Sequence, residues 1–113
     1  MATKKLRSIL TGNEVDNILN AFKSGLNSNN IKPKHIILFG SYAKNKAHVD
    51  SDIDVAVVVK ESDKSLVQSK KRDLMYLASK THLKLEPHFM TEKDYNNKYL
   101  SLPVEIKKYG LAS

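Results

Sequence analysis

Two aspartates, Asp52 and Asp54, open an apolar segment and form the first pattern in the chain that could support chemistry. In an extended strand, side chains two residues apart lie on the same face, so both carboxylates are expected to share one small site. Like charges this close repel each other unless a cation lies between them, and such oxygen ligands suit Mg²⁺ that also contacts phosphate groups. The pair predicts a metal site, but acidic pairs also occur at strand ends simply as solvated residues.

A glycine–serine pair, Gly40 and Ser41, lies upstream at the end of another apolar segment. The glycine permits a tight turn, and the backbone amide and hydroxyl of Ser41, at a predicted helix N-terminus, favour phosphate oxygens. Residues 42–51 separate this pair from Asp52. A triphosphate held at the turn could therefore present its α-phosphate to metal at the aspartates, which neither pattern would indicate alone.

The first element expected around this site is a helix. Thr11 and Glu14 have the spacing of a capping box, and the apolar residues that follow recur with helical periodicity until about residues 25–30. These apolar residues are Val15, Ile18, Leu19, Phe22 and Leu26. The stripe predicts a helix face that packs in the core.

Apolar, β-branched segments predict three strands, at residues 35–39, 53–59 and 83–90, and Pro87 places the third at a sheet edge or strand end. Further helices are expected at 41–46, from a Ser65–Gln68 capping box to about Lys80, from Thr91 toward Tyr99, and from Pro103 to Tyr109, closed by Gly110. Strands that alternate with helices predict an α/β fold with a small mixed β-sheet of at least three strands, covered by helices in two or three layers. We expect one domain over residues 1–113.

Composition narrows the class of protein. The chain has 113 residues, 41% of them hydrophobic, and no cysteine, which excludes disulfides, thiolate metal sites and a cysteine nucleophile. No signal peptide or membrane span is recognisable, so the expected location is cytoplasmic, without a membrane partner. The 19 Lys and Arg residues outnumber the 12 Asp and Glu residues, for a net charge of +7 that suggests an anionic partner.

Gly40, Ser41, Asp52 and Asp54 together have the spacing GSx10DxD, and on these residues the chain resembles the minimal nucleotidyltransferases (MNT), a branch of the polymerase-β-like superfamily. The segment 85–91 is similar to the third strand of that family with its acidic residue, and the segment 105–110 is similar to its C-terminal helix. Lys44-Asn45 stands where many members have Arg-Gly. The resemblance implies the polymerase-β-like nucleotidyltransferase fold.

The resemblance also implies a reaction and a metal site. Two Mg²⁺ ions held by Asp52, Asp54 and a third carboxylate would bind the α-phosphate of ATP and activate a hydroxyl, which becomes adenylylated. Glu86 is the candidate for the third carboxylate because it lies at the exposed end of a strand predicted to neighbour the aspartates.

Three further residues are candidates for supporting roles. Lys44 and Lys46 lie in the loop after Ser41, where the charge of a triphosphate is expected, so each is a candidate phosphate contact. His88 shares a strand face with Glu86 if the strand stays regular through Pro87, which makes it a candidate accessory residue.

Several functions remain open on the sequence. By resemblance, the leading hypothesis is an antitoxin that transfers AMP to a tyrosine of a HEPN-domain toxin and forms a hetero-oligomer with it. The short chain supports this hypothesis, since it lacks the helical domain with which related transferases hold small acceptors. Alternatives are nucleotidyl transfer to a small molecule or RNA end, and a noncatalytic antitoxin that covers its partner. Direct nucleic-acid binding, suggested by charge alone, leaves the acidic pair unexplained.

Overall fold

The protein, described by a computed structural model over residues 9–113, is a four-stranded sheet with helices on both faces. A 3₁₀ turn at Glu61–Asp63 precedes the second helix. The helices are α1 (Gly12–Ser28), α2 (Lys64–Ser69), α3 (Lys71–Thr81), α4 (Glu92–Tyr95) and α5 (Ser101–Tyr109), and the strands are β1 (His35–Phe39), β2 (Ile53–Val59), β3 (Leu85–Thr91) and β4 (Leu111–Ala112).

The sheet is mixed, as predicted, with the strand order β3-β2-β1-β4. Strand β2 is central, running parallel to β3 and antiparallel to β1, which also pairs antiparallel with β4. In this register Asp54 lies opposite Phe39 on one side and opposite Glu86 on the other. Two residues that are distant in sequence thus flank the second aspartate.

The sheet separates two apolar clusters. Helices α1 and α3 pack together over one face, where Val55 and Val57 are fully buried. On the other face, Ala56 and Val58 pack with Phe39 of β1 and with Ile106 of α5. Because side chains alternate along a strand, Asp54 belongs to the face that carries α5.

Helix α1 confirms the predicted capping box. The Thr11 hydroxyl accepts a hydrogen bond from the Glu14 backbone at 3.1 Å, and the Glu14 carboxylate accepts one from the Thr11 backbone at 3.0 Å. Four residues of the predicted stripe are buried, and Ile18 packs partly buried against the same cluster. The buried residues are Val15, Leu19, Phe22 and Leu26.

The helix predicted at residues 41–46 is wrong. The segment forms hydrogen-bonded turns, in which the Lys44 amide donates to the Gly40 carbonyl at 3.1 Å and the Lys46 amide to the Ser41 carbonyl at 2.9 Å. Gly40 has φ +73° and Asn45 has φ +56°, both in the left-handed region, so helical geometry cannot propagate past either end. Ser41 therefore lies in a tight turn and not at a helix N-terminus.

The helix predicted from the Ser65–Gln68 capping box also differs. Helix α2 already begins at Lys64, so Ser65 lies inside its first turn and cannot act as the cap. Lys70, with φ −100° and ψ 9°, then separates α2 from α3. The Lys70 ammonium donates to the Asn29 carbonyl after α1 at 2.6 Å, a tertiary bond that local sequence does not encode.

The other predicted elements are present and differ only at their ends, whereas the short strand β4 was not predicted. Pro87 lies on β3, an edge strand, as expected of a residue without an amide hydrogen. The Thr91 hydroxyl caps α4 through the Asp94 amide, but α4 ends at Tyr95. Helix α5 begins two residues before Pro103.

No helix within residues 9–113 is long and apolar enough to cross a bilayer.

Candidate active site

The glycine turn after β1 lies directly against the second aspartate. Gly40 follows Phe39, the β1 residue paired with Asp54, and its backbone has φ +73°. A Cβ atom built on Gly40 would overlap a carboxylate oxygen of Asp54 and lie 3.3 Å from its Cβ and Cγ. Glycine is thus required here for two reasons, the left-handed backbone and the close approach to Asp54.

Side chains of the types that bind metal ions lie close together where β2 and β3 run side by side. Asp54 and Glu86 are register partners, and His88, two residues farther along β3, returns to the same face. The His88 Nε2 lies 3.4 Å from Asp54 Oδ1. One ligand atom from each of the three residues lies within 4.8 Å of the others. Two carboxylates and an imidazole at this spacing fit a divalent cation.

Asp52 joins this cluster through Glu86. A side-chain hydrogen bond between Asp52 and Glu86 is the main reason that the pKa of Glu86 is raised above its ordinary value. Partial burial and the negative charges of Asp52 and Asp54 raise this pKa further, while His88 opposes the shift. The structure therefore brings Asp54 and Glu86 together and places Asp52 beside Glu86, outside the group whose donor atoms lie within 4.8 Å of one another. What these carboxylates bind stays a prediction.

The segment before Asp52 is held by a residue that sequence reasoning missed. Ser51 is 7% exposed, and its hydroxyl accepts a hydrogen bond from the His48 backbone amide at 2.9 Å. Its own amide donates to the His48 carbonyl, also at 2.9 Å. This turn sets where the chain enters β2 and hence where Asp52 lies. The sequence signal, a serine three residues after His48 in a polar loop, is too common to identify such a role.

Of the two lysines proposed as phosphate contacts, Lys44 forms an ion pair within the fold. Lys44 donates to Glu105 of α5 at 3.1 Å, and its ammonium lies 4.6 Å from the centre of the Tyr109 ring. Lys46 is exposed. Phosphate binding by Lys44 therefore stays a prediction, and it would compete with this ion pair. Glu105 is 61 residues away in sequence, so no local pattern indicates the contact.

His88 is placed more centrally than the sequence suggested. Besides its contact with Asp54, its ring packs edge-on against Phe39, with centroids 5.1 Å apart and planes at 61°. Phe39 is buried, so this packing restrains the imidazole beside the carboxylates. The signals available were the alternation along β3 and its predicted place beside the aspartates, and the β2–β3 pairing confirms that place.

Comparisons with known proteins agree with this geometry. The model of the nucleotidyltransferase domain family matches residues 15–112. A solved structure from Sulfolobus solfataricus, described as that of a candidate nucleotidyltransferase, is similar with a TM-score of 0.50 and 18% sequence identity. The similarity covers 85% of this chain and 72% of that one, and at this identity it bears on the fold alone. A search of curated proteins finds no match. With its family match spanning nearly the whole chain and its carboxylates gathered beside a glycine turn, the protein belongs to the nucleotidyltransferase domain family and has the polymerase-β-like nucleotidyltransferase fold.

Proposed function

We propose that this protein is a metal-dependent enzyme that transfers AMP from ATP to a tyrosine hydroxyl of a HEPN-domain toxin and thereby acts as an antitoxin. The observation that carries the transferase part is the contact between the Gly40 turn and Asp54, which joins a phosphate-binding backbone to a carboxylate cluster. Family membership supports nucleotidyl transfer. ATP, the tyrosine and the toxin come from the resemblance of the sequence to MNT proteins.

The residues have separable tasks in this reaction. Asp52, Asp54 and Glu86 hold Mg²⁺, and Gly40 leaves room for a phosphate to approach the carboxylates. When bound, Mg²⁺ stabilises the charge on the phosphate and lowers the pKa of the attacking hydroxyl. The hydroxyl oxygen forms a bond to the α-phosphorus while the bond to the bridging oxygen breaks. Pyrophosphate leaves, and the hydroxyl proton passes to solvent.

A protein acceptor is supported by exposed apolar side chains on the site's side of the sheet. Leu100 and Val104, one helical turn apart, are 40% and 46% exposed at α5, and Tyr109 at its other end is 42% exposed. Tyr109 also lies beneath Lys44 of the phosphate loop. Exposed apolar groups next to a site are typical of surfaces that contact another protein.

The test is an intact-mass measurement on the cognate HEPN protein after incubation with this protein, ATP and Mg²⁺. We expect a gain of about 329 Da per AMP group, from metal-assisted condensation with loss of pyrophosphate. Asp52→Asn, Asp54→Asn and Glu86→Gln should each reduce the gain. Asp50→Asn, in the exposed loop two residues before Asp52, is the matched control and should retain it.

Other outcomes distinguish the alternatives. If the toxin gains no mass and the triple-carboxylate variant still neutralises it, the protein acts by covering its partner. If label from α-³²P ATP appears on RNA or on a small molecule and not on protein, the acceptor class is wrong while the transferase assignment stands.

A further inference from the structure

We propose that His88 is itself a metal ligand, acting with Asp54 and Glu86, and that its nitrogen makes the site prefer Mn²⁺ over Mg²⁺. The inference rests on the proposed function to the extent that it concerns the same metal site. It adds a ligand to the three carboxylates proposed from the sequence and assigns that ligand a role in the preference for one metal.

The geometry supports direct ligation. Ligand atoms around one small divalent ion lie about 3–4.5 Å apart, which follows from metal–ligand distances of about 2.0–2.2 Å. The donor atoms of Asp54, Glu86 and His88 lie within 4.8 Å of one another, and His88 Nε2 is only 3.4 Å from Asp54 Oδ1. Small side-chain rotations are therefore enough for all three donors to reach one ion.

The backbone and the packing hold the imidazole in this position. Glu86 and His88 lie on the same face of β3 because they are two residues apart, and β3 pairs with β2 in a register that sets Glu86 beside Asp54. The edge-on contact with buried Phe39 restrains the ring. His88 is half-buried, so its nitrogen is partly shielded from water yet reachable by a cation.

The donor types imply a preference among metals. Mg²⁺ is a hard ion that favours oxygen ligands and retains its water, whereas Mn²⁺ accepts both carboxylate and imidazole donors. An ion bound by two carboxylates and one imidazole is thus held better if it is Mn²⁺. The competing role for His88 is a hydrogen bond that orients Asp54 without touching the ion, and such a bond would support both metals alike.

The experiment measures binding of each metal alone to metal-free protein, without ATP or acceptor, by calorimetry for Mg²⁺ and Mn²⁺. Pulsed electron paramagnetic resonance of the Mn²⁺ form reports directly bonded ¹⁴N. In the parent protein we expect the ¹⁴N coupling of a bound imidazole. In His88→Gln the coupling should vanish, and the Mn²⁺ to Mg²⁺ affinity ratio should fall by about tenfold or more.

His35→Gln is the control, because His35 is exposed and pairs with Val58, four residues along β2 from Asp54. It should leave both the coupling and the ratio unchanged. Absence of ¹⁴N coupling in the parent, or equal loss of both metals in His88→Gln, overturns the proposal. If His88→Gln does not fold, the parent spectrum decides alone. A protein that binds Mn²⁺ through His88 but transfers no AMP would uphold this inference and overturn the proposed function.

Discussion

At the scale of single residues, strand pairing brings negatively charged side chains close together at the site. Asp54 and Glu86 are neighbours in the β2–β3 register, and Asp52 bonds to Glu86. Each carboxylate is at least partly exposed, so water screens their repulsion. The pKa of Glu86 is raised mainly by a side-chain hydrogen bond with Asp52, then by desolvation and by the negative charges of Asp52 and Asp54. A bound cation would also relieve the repulsion among the carboxylates. We therefore expect these residues to serve ligand binding and not the stability of the fold.

Replacing either aspartate should therefore leave the metal-free fold intact. We expect Asp52→Asn and Asp54→Asn to change the free energy of unfolding in EDTA by no more than about 0.5 kcal/mol, because each removes one charge from a repelling group. Thermal or urea unfolding of the parent and both variants is the measurement. Asp50→Asn serves as the control for a charge change in the adjoining loop. A variant markedly less stable than the parent in EDTA would show that its aspartate serves the fold and would contradict the site assignment.

The raised pKa of Glu86 predicts a pH dependence with a definite sign. Because the folded protein binds this proton more tightly than the unfolded chain, its contribution to stability is full below the ordinary glutamate pKa and is lost as the pH rises through the raised value. In EDTA, the melting temperature of the parent should fall across this window relative to Glu86→Gln. Mg²⁺ affinity should rise across the same window, because the metal needs the deprotonated carboxylate. Parallel pH profiles for parent and variant would refute the assignment.

At the scale of elements, the turn after β1 brings the backbone of Gly40 against the Asp54 carboxylate. We expect Gly40→Ala to destabilise the fold by about 1 kcal/mol or more, because alanine is strained at positive φ and its Cβ would meet the Asp54 carboxylate. It should also lose ATP binding. Gly12→Ala is the matched control: nothing lies within 4 Å of its Cβ position, and the change should be neutral or stabilising by up to about 1 kcal/mol.

Ser41→Ala should keep the backbone amide of this turn and lose only part of the transfer activity.

If Gly40→Ala binds ATP as well as the parent, the turn is not a phosphate site.

The same turn is linked to α5 by the Lys44–Glu105 ion pair, and this link makes the predicted phosphate contact testable. If Lys44 binds the triphosphate, Lys44→Met should raise the KM for ATP about fivefold, the equivalent of about 1 kcal/mol of binding. Glu105→Gln should leave that KM unchanged or lower it, since it frees Lys44. Lys60→Met, at the opposite end of β2, is the control and should have no effect. Equal KM values for parent and Lys44→Met would assign Lys44 to the ion pair alone.

At the scale of the whole molecule, the net charge of +7 comes from basic residues spread along the whole sequence. Within residues 9–113, six lysine ammonium groups lie 4.6–5.5 Å from the centres of aromatic rings of the same chain, so part of the positive charge already has a contact within the fold. They belong to Lys44, Lys71, Lys80, Lys98, Lys107 and Lys108. The carboxylates of Asp54 and Glu86, however, would repel the phosphates of a nucleic acid unless a metal lay between them.

We therefore expect single-stranded oligonucleotides to bind in EDTA with a Kd no tighter than roughly 100 µM at physiological salt, the weak end of nonspecific binding. Fluorescence anisotropy of a labelled oligonucleotide over a range of salt concentrations measures this. A tight complex whose affinity falls steeply with salt in the absence of metal would instead support a nucleic-acid-binding protein.

The sequence by itself determined most of the elements and the motif. The capping box at Thr11 and Glu14, the apolar stripe of α1 and the apolar, β-branched runs of β1 and β2 act over a few residues, where local geometry is decisive. The spacing of Gly40, Ser41, Asp52 and Asp54 likewise needs only the linear chain.

Tertiary structure decided which of these residues meet. The contact of Gly40 with Asp54 depends on the β1–β2 register. The cluster of Asp54, Glu86 and His88 depends on the parallel pairing of β3 with β2. Lys44 forms an ion pair with Glu105, which only the tertiary structure brings near. The helix expected at 41–46 is replaced by turns, because the left-handed backbone at Gly40 and Asn45 bounds the segment and a helix this short has little stability of its own. Strand pairing joins residues 15 to 75 positions apart, and periodicity along the chain carries no information on which strand pairs with which.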